Sequence, residues 1–355
     1  MYTKRLETLR KTMSENGLDG VLLQGDINRN YMSGFRGDES YSIITNDRAI
    51  FVTDFRFTEQ ANQQVENYEI HEYQRPFETF LDKMVKELNI KKLGFEENVL
   101  TFDLYESYKN AVNCELVPLN GMVEKLRLIK SKDEVHAIKK AQQIADSAFD
   151  HMLEFIKPGM TEKEIGLELE FYMRKLGASG LSFPSIVASG VRSSLPHGTA
   201  TEKVVERGDF LTLDFGAVYD GYCSDMTRTI VIGEPNDKMK EIYNIVLNAQ
   251  EAALKAVKPG MSCFDLDKIA RDIIKDAGYG EYFGHGLGHG VGRLIHEAPM
   301  VSFRSNEILE PGMVITDEPG IYVPNFGGVR IEDLILVTED GCEVLSKSPK
   351  NLICI

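Results

Sequence analysis

Four carboxylates and four histidines in the second part of the chain have the types and spacing of groups that act together. The segment TLDFGAVYDGYCSDMTRT (212–229) reads as a strand, a glycine-containing turn and a second strand. Asp214 and Asp225, 11 residues apart, can therefore present two carboxylates to one point. ITDEPGIYVPNFGGVRIEDLILV (315–337) has the same form, with Glu318 and Glu332 at comparable places. Asp214 follows the apolar Phe210, Leu211 and Leu213, and Glu332 lies between Ile331 and Leu334-Ile335-Leu336. A charge at the end of a buried strand must be paired or bound to metal. Of seven histidines, His71, His136 and His151 are isolated and read as surface or helix-face residues. His197, His285, His289 and His296 belong together, three of them in GHGLGHGVGRLIHE (284–297) among five glycines. Glycine at that density suits close backbone approach or positive φ, and an ordinary core strand does not tolerate it. A phosphate-binding loop lacks its spacing and its lysine here. Four carboxylates plus imidazole suit two divalent ions, about 3.5–4 Å apart and sharing an activated water. The oxygen-rich set favours Mn²⁺-like ions, and the histidine disfavours Mg²⁺.

The elements that must position these groups come from an internal repeat. Lys157-Pro158-Gly159-Met160 recurs as Lys258-Pro259-Gly260-Met261, each after a long amphipathic helix. Each copy precedes a further helical stretch that ends in glycine, at Gly177 and at Gly278. GDFLTLDFG (208–216) then aligns with GMVITDEPG (312–320), which sets Asp214 opposite Glu318. A duplicated helix–helix–hairpin unit predicts a pseudo-two-fold domain whose sheets face each other, with the site between the halves. Ser131 and Glu134 form a capping box that opens a helix running to about Phe155.

The first 120 residues alternate differently. Leu6, Leu9 and Met13 mark a helix face. DGVLLQ, YSIITN, AIFVTDFRF and KKLGFE read as strands, and Phe77, Phe80, Leu81, Met84 and Leu88 repeat at helical spacing. That alternation predicts an α/β domain with a mixed sheet. With 355 residues, the chain is expected to hold two domains, 1–122 and 123–355. Apolar residues at 43% and charged residues at 27% are ordinary for a globular protein. The net charge of −15 repels phosphate backbones and excludes a nucleic-acid partner. Five scattered cysteines without a C-x-x-C pair fit a reducing compartment. The charged first residues carry no signal-peptide core, and no apolar run is long enough for a membrane span. A cytoplasmic protein without a membrane partner is the expectation.

Residues 123–355 resemble the pita-bread metallopeptidases, which include aminopeptidase P, Xaa-Pro dipeptidase (prolidase) and methionine aminopeptidase. The resemblance rests on Pro196-His197-Gly198, the D-F-G…S-D-x-T-R-T hairpin, H-G-x-G-H-x-x-G…H-E, E-P-G and G-V-R-I-E-D. Residues 1–122 look like the N-terminal domain of creatinase and prolidase, which methionine aminopeptidase lacks. The implied fold is α/β (α+β): a creatinase/prolidase-like domain followed by a pseudo-two-fold pita-bread catalytic domain. The resemblance implies five metal ligands, Asp214, Asp225, His289, Glu318 and Glu332, with Asp225 and Glu332 bridging two divalent ions. Mn²⁺ is the expected metal, with Co²⁺, Zn²⁺ and Fe²⁺ as alternatives. Asp317 departs from the family pattern, which has an apolar residue before the E-P-G glutamate; its charge either perturbs the site or turns outward by strand alternation.

The implied reaction is hydrolysis of the bond between an N-terminal residue and a following proline, by a water that the two ions activate. Glu318 would take the water's proton, and His296 would stabilise the oxyanion. His197 and His285 would line the leaving-proline side. Arg330 would fix Glu332 or a neighbouring carboxylate, or form a supporting salt bridge; Tyr322 is read mainly as a packing residue. A strict dipeptidase also needs a cation for the substrate carboxylate. Arg192, Arg293 and Arg304 are the candidates, and no motif selects one. The expected activity is Xaa-Pro aminopeptidase on short proline-containing peptides, with Xaa-Pro dipeptidase as the alternative. A metal-free creatinase-like or binding relative ranks below both, because all five ligand positions are filled. A homodimer is expected by analogy.

Overall fold

The computed structural model describes residues 2–355. It separates into two compact units, one ending at Arg127 and one spanning Leu128–Ile355. The first is a mixed six-stranded sheet between helical layers. Its strands run, in spatial order, Glu69–Glu72, Ala49–Thr53, Tyr41–Thr45, Gly20–Leu23, Lys92–Phe95 and Glu115–Pro118. Side chains on a strand alternate between faces. Val21 and Leu23 therefore pack with Leu6, Leu9 and Met13 of the helix Tyr2–Glu15, while Leu22 packs with Phe77, Leu81 and Met84 of the helix Phe77–Glu87. The strand expected over AIFVTDFRF stops at Thr53. There the Asp54 carboxylate accepts from Arg56 N at 3.0 Å and the Asp54 carbonyl from Phe57 N at 3.0 Å, turning the chain out of the sheet.

The second unit realises the repeat. Helices Lys132–Phe155 and Glu162–Lys175 form one pair, and Asp237–Ala256 and Cys263–Asp276 the other. The capping box at Ser131 and Glu134 is present, with Ser131 N donating to Glu134 Oε2 at 2.9 Å. Each helix pair covers one sheet. Phe210–Phe215 lies between Ile186–Ser189 and Met226–Val231. Val314–Asp317 lies between Gly288–Gly290 and Asp333–Val337, with Glu297–Val301 and Cys342–Val344 at the edges. Matching antiparallel bridges, Thr161 with Val204 and Ser262 with Ile308, join the second helix of each pair to a later segment.

Two half-cores follow from strand alternation. Leu211, Leu213 and Phe215 enter the first helix pair beside Ile144, Phe149, Ile165 and Leu169. Ile315, Ile335 and Val337 enter the second beside Ile242, Val246, Leu266 and Ala270. The opposite face of the two central strands carries Thr212 and Asp214, and Thr316, so Leu211, Leu213 and Ile315 each set an adjacent polar residue on the other side. Replacing Phe149, fully buried in the first half-core, by alanine should cost about 3–5 kcal/mol. A denaturation midpoint for the C-terminal unit equal to that of the wild type would contradict this packing.

Candidate metal centre

Within this frame the four carboxylates converge. Asp214 stands opposite Thr227 across the Phe210–Phe215/Met226–Val231 ladder, and Asp225 precedes the second strand. Glu318 follows the strand Val314–Asp317, and Glu332 precedes Asp333–Val337. Asp225, His289 and Glu332 each offer a ligand atom, all within 4.8 Å of one another. His289 Nε2 lies 3.5 Å from Asp225 Oδ2 and 3.3 Å from Glu318 Oε1. Asp214 stands beside this group. Its Oδ2 accepts from Arg330 Nη2 at 2.5 Å, and its Oδ1 is buried without a partner.

Electrostatics makes this convergence costly for protein alone. Burial and then the neighbouring carboxylates push Asp225 and Glu332 well above the usual carboxylate range. Burial also raises Asp214, against the pull of Arg330. Burial works the same way on Glu318, but the His289 imidazole, His285 and Arg330 outweigh it and leave its pKa at about 2. Among the described residues Arg330 is the one lysine or arginine lining the cavity, and it cannot balance four carboxylates. Three buried carboxyls crowded against one another, a bare Asp214 oxygen and a nearby imidazole nitrogen are a donor set that fits divalent ions.

The histidine tautomers follow from their partners. His289 Nδ1 faces the Gly290 carbonyl at 3.1 Å, which can only accept, so Nδ1 carries hydrogen. Nε2 is then the atom directed at the carboxylates, the arrangement in which imidazole ligates metal. Burial disfavours the His289 cation, but Glu318 outweighs it and raises the pKa. His285 Nδ1 likewise donates to the Gly286 carbonyl at 2.8 Å. His296 packs edge-on against His289, ring centroids 4.4 Å apart. Burial, and then the charge of His289 with a smaller effect from His197, lower its pKa.

The glycines of this segment serve close approach rather than positive φ. A Cβ on Gly288 would stand 2.1 Å from the Thr316 carbonyl oxygen, and one on Gly290 2.2 Å from that of Ala298. Only bare backbone lets the His289 strand lie between its neighbours.

Several residues that sequence reasoning did not select complete the site. Thr227 Oγ1 donates to Glu332 Oε2 at 2.6 Å and accepts from Arg330 Nε at 3.0 Å. Thr316 Oγ1 donates to Glu318 Oε1 at 3.0 Å while accepting from His289 N at 3.0 Å. Arg228 holds the Glu332 carbonyl from behind and pairs with Asp333 at 2.8 Å. The signal for Thr227 and Thr316 was their period-2 relation to the carboxylates. Tyr322 requires correction, because its hydroxyl has a polar role. It accepts from Arg330 Nη1 at 2.7 Å, which leaves its own hydrogen for His285 Nε2 at 2.9 Å. Burial is the first cause that raises its pKa, to about 12. The partner of Arg330 is Asp214 rather than Glu332.

These groups line a cavity of about 880 Å³. His197, His285, His289 and His296 all reach it, and Phe183, Pro184, Ile186, Ile295 and Met300 form an apolar wall. None of the arginines considered as carboxylate anchors lines it. Arg192 pairs with Glu162, Arg293 lies over the Tyr222 ring and Arg304 over Phe303.

The model of metallopeptidase family M24 matches residues 136–339, and that of the creatinase/prolidase N-terminal domain matches residues 5–129. The chain is 43% identical to a Xaa-Pro dipeptidase of Pyrococcus furiosus, over 99% of each sequence. Its structure is similar to that of a Xaa-Pro dipeptidase from Bacillus anthracis, with a TM-score of 0.98, 54% identity and 100% of each chain covered. It is also similar to an X-Pro aminopeptidase from Thermotoga maritima, with a TM-score of 0.92 and 42% identity, covering 96% of this chain and 99% of that one.

Asp317 turns away from the centre, as strand alternation allows, but into the core rather than to solvent. It pairs in register with Asp333, is fully buried, and neither of its carboxyl oxygens has a hydrogen-bond partner. Asp333 takes the available donors, Arg228 at 2.8 Å, Lys350 at 2.6 Å and Gln250 at 3.1 Å. Burial and then Asp333 push the Asp317 carboxyl well above its usual range. A raised carboxyl pKa binds the proton more tightly in the folded state. Folding stability therefore falls as pH rises from the ordinary carboxylate range toward the raised value. Asp317→Asn should remove that fall, so thermal melting across pH should find the variant matched to wild type near pH 4 and more stable at pH 7. A variant less stable at pH 7 would show that the Asp317 charge is compensated.

Proposed function

From the premise that the chain belongs to metallopeptidase family M24, we propose that it is a dimetal exopeptidase cleaving Xaa-Pro bonds at the N-terminus of short peptides. The observation that carries this reading is the convergence of three buried carboxylates, the part-buried Glu318 and His289 on one cavity. Asp214, Asp225, His289, Glu318 and Glu332 would hold two divalent ions, with Asp225 and Glu332 shared between them, and four carboxylates balance four positive charges. When bound, the ions supply an activated water and polarise the scissile carbonyl. Mn²⁺ is the metal we favour, because the donor set is oxygen-rich with one imidazole.

The side chains divide the remaining work. Glu318, held by Thr316 and facing His289, would take the water's proton and pass it toward the leaving imino nitrogen. His296, beside His289 at the cavity wall, is set to donate to the developing oxyanion. His285 has Nε2 committed to Tyr322, so that Arg330, Tyr322 and His285 form one hydrogen-bonded edge of the cavity. His285 and His197 would orient the proline side, and the apolar wall suits a proline ring or an aliphatic Xaa side chain.

The cation inventory favours the aminopeptidase reading. Arg330 is engaged by Asp214, Thr227, Tyr322 and the Pro196 carbonyl, so it cannot offer a bidentate pair to the carboxylate of a bound dipeptide. The alternative is a strict Xaa-Pro dipeptidase, which similarity to the proteins of that name from Pyrococcus furiosus and Bacillus anthracis supports. Free thiols at all five cysteines fit a reducing, cytoplasmic setting. Among the described residues no helix is long and apolar enough to cross a membrane. A homodimer would cover apolar surface such as Phe55 and Phe102, which are 77% and 75% exposed.

Purified protein loaded with Mn²⁺ should hydrolyse Xaa-Pro-Xaa tripeptides with kcat/KM at least equal to that for Xaa-Pro. A strong preference for the dipeptide would reverse the order of the two readings. Asp225→Asn should lower bound metal measured by elemental analysis and reduce kcat by about a thousandfold or more, as loss of a group that organises the reacting water does. Wild-type metal content and rate in that variant would sink the ligand assignment.

A further inference from the structure

His197 lines the cavity, yet its imidazole makes no hydrogen bond to the described protein. Its position is therefore set by its own backbone, a stretch without helix or strand from Leu195 to Thr201. An isolated bridge of Thr199 with Ile186 and a bond from Lys163 N to the Thr201 carbonyl at 3.1 Å tie its far end, and three side chains add further fastenings. Arg330 Nη1 donates to the Pro196 carbonyl at 3.2 Å, and Arg192 Nη2 to the Thr199 carbonyl at 2.8 Å. Glu162 Oε2 accepts from Thr201 N at 3.0 Å and from Thr201 Oγ1 at 2.8 Å. Glu162 is fully buried and pairs with Arg192. Its other oxygen accepts from Ser189 N at 2.7 Å and Ser189 Oγ at 2.9 Å. One saturated carboxylate thus ties the start of a helix, the end of a strand, Arg192 and the far end of the His197 segment.

The repeat shows that the fold does not require a carboxylate there. Glu162 is the first residue of its helix, and Cys263 occupies the same place in the other half. The Thr161–Val204 bridge beside Glu162 has its counterpart in the Ser262–Ile308 bridge beside Cys263. In the other half, whose irregular segment between the strand Gly288–Gly290 and Ile308 carries His296, a small uncharged side chain satisfies the same place. The buried charge belongs to the half that carries His197.

We propose that Glu162 and Arg192 are positioning residues that hold His197 at its place in the cavity wall. This rests on reading the cavity as the peptidase site. Arg192, considered at first as an anchor for a substrate carboxylate, acts on the protein's own backbone instead. The planar guanidinium spans Glu162 and the Thr199 carbonyl with separate nitrogens of one rigid fork, which a lysine ammonium lacks. A displacement of about 1 Å in a group that orients substrate can cost up to about a hundredfold in rate.

The test is a double-mutant cycle with His197→Ala, run on whichever peptide the wild-type protein hydrolyses fastest among Xaa-Pro, Xaa-Pro-Xaa and Xaa-Ala-Xaa. Glu162→Gln should lower kcat/KM about tenfold, mainly through KM, with metal content unchanged. In the His197→Ala background the same substitution should change kcat/KM less than about twofold. Arg192→Lys, which is milder and keeps the fold if Glu162→Gln does not, should show a smaller loss that His197→Ala again absorbs. Equal losses in both backgrounds, or no loss in the wild-type background, overturn the proposal. The His197 ring resonances should also shift in Arg192→Lys, and an unchanged signal overturns the proposal whatever the substrate. A failure of the Xaa-Pro reading appears separately, in the wild-type peptide preference.

Discussion

Four carboxylates crowded at one place, three of them buried, repel one another, and the C-terminal unit is organised around that repulsion. Burial and mutual charge push Asp225 and Glu332 far from their ordinary titration. Arg330 and His289 offset part of the cost, on Asp214 and Glu318 respectively. The remainder is what divalent ions relieve, so the site and its cofactor are complementary through charge as well as geometry. Rigid walls are needed to keep such groups together, and the two helix-covered half-cores provide them.

The same strands that bury Leu211, Leu213 and Ile315 present Asp214 and Thr316 on the opposite face, because side chains alternate along a strand. Core packing and site geometry are therefore one constraint seen from two sides. Threonines at the alternate positions finish the job by holding carboxylate oxygens, as Thr227 does for Glu332 and Thr316 for Glu318. Alternation also explains the unusual Asp317, whose charge is turned into the second half-core beside Asp333 and away from the cavity.

The two halves of the repeat have parted in function while keeping one architecture. The second supplies His289 from a glycine-rich strand, His285 and His296 from the irregular segments on either side of it, and Tyr322 and Arg330 from a hairpin. The first supplies His197 from an irregular segment, and with it a buried carboxylate where the other half has Cys263. Irregular backbone needs such fastening because it has no ladder to satisfy its polar groups.

The repeat, the helix stripes, the capping box and the candidate ligands were legible in the sequence. Each is a local pattern: a period of 2 or 3.6, a spacing across one hairpin, or a glycine run. The family motifs added roles to those residues. What a linear pattern does not carry is distance between residues far apart along the chain. Arg330 meets Asp214 across 116 positions, and its neighbour Tyr322 turns a hydroxyl to His285 across 37. Sequence reasoning left the first partner open and read Tyr322 mainly as packing. Whether Asp317 faced solvent or core, whether the glycines served positive φ or close approach, and which arginines reached the cavity were likewise decided only when the sheets docked. The sequence by itself determined which chemical groups are present and on which strand faces they sit, because alternation and repetition are written residue by residue. The tertiary structure alone decided which of those groups touch, because packing of the two half-cores sets the distances between them.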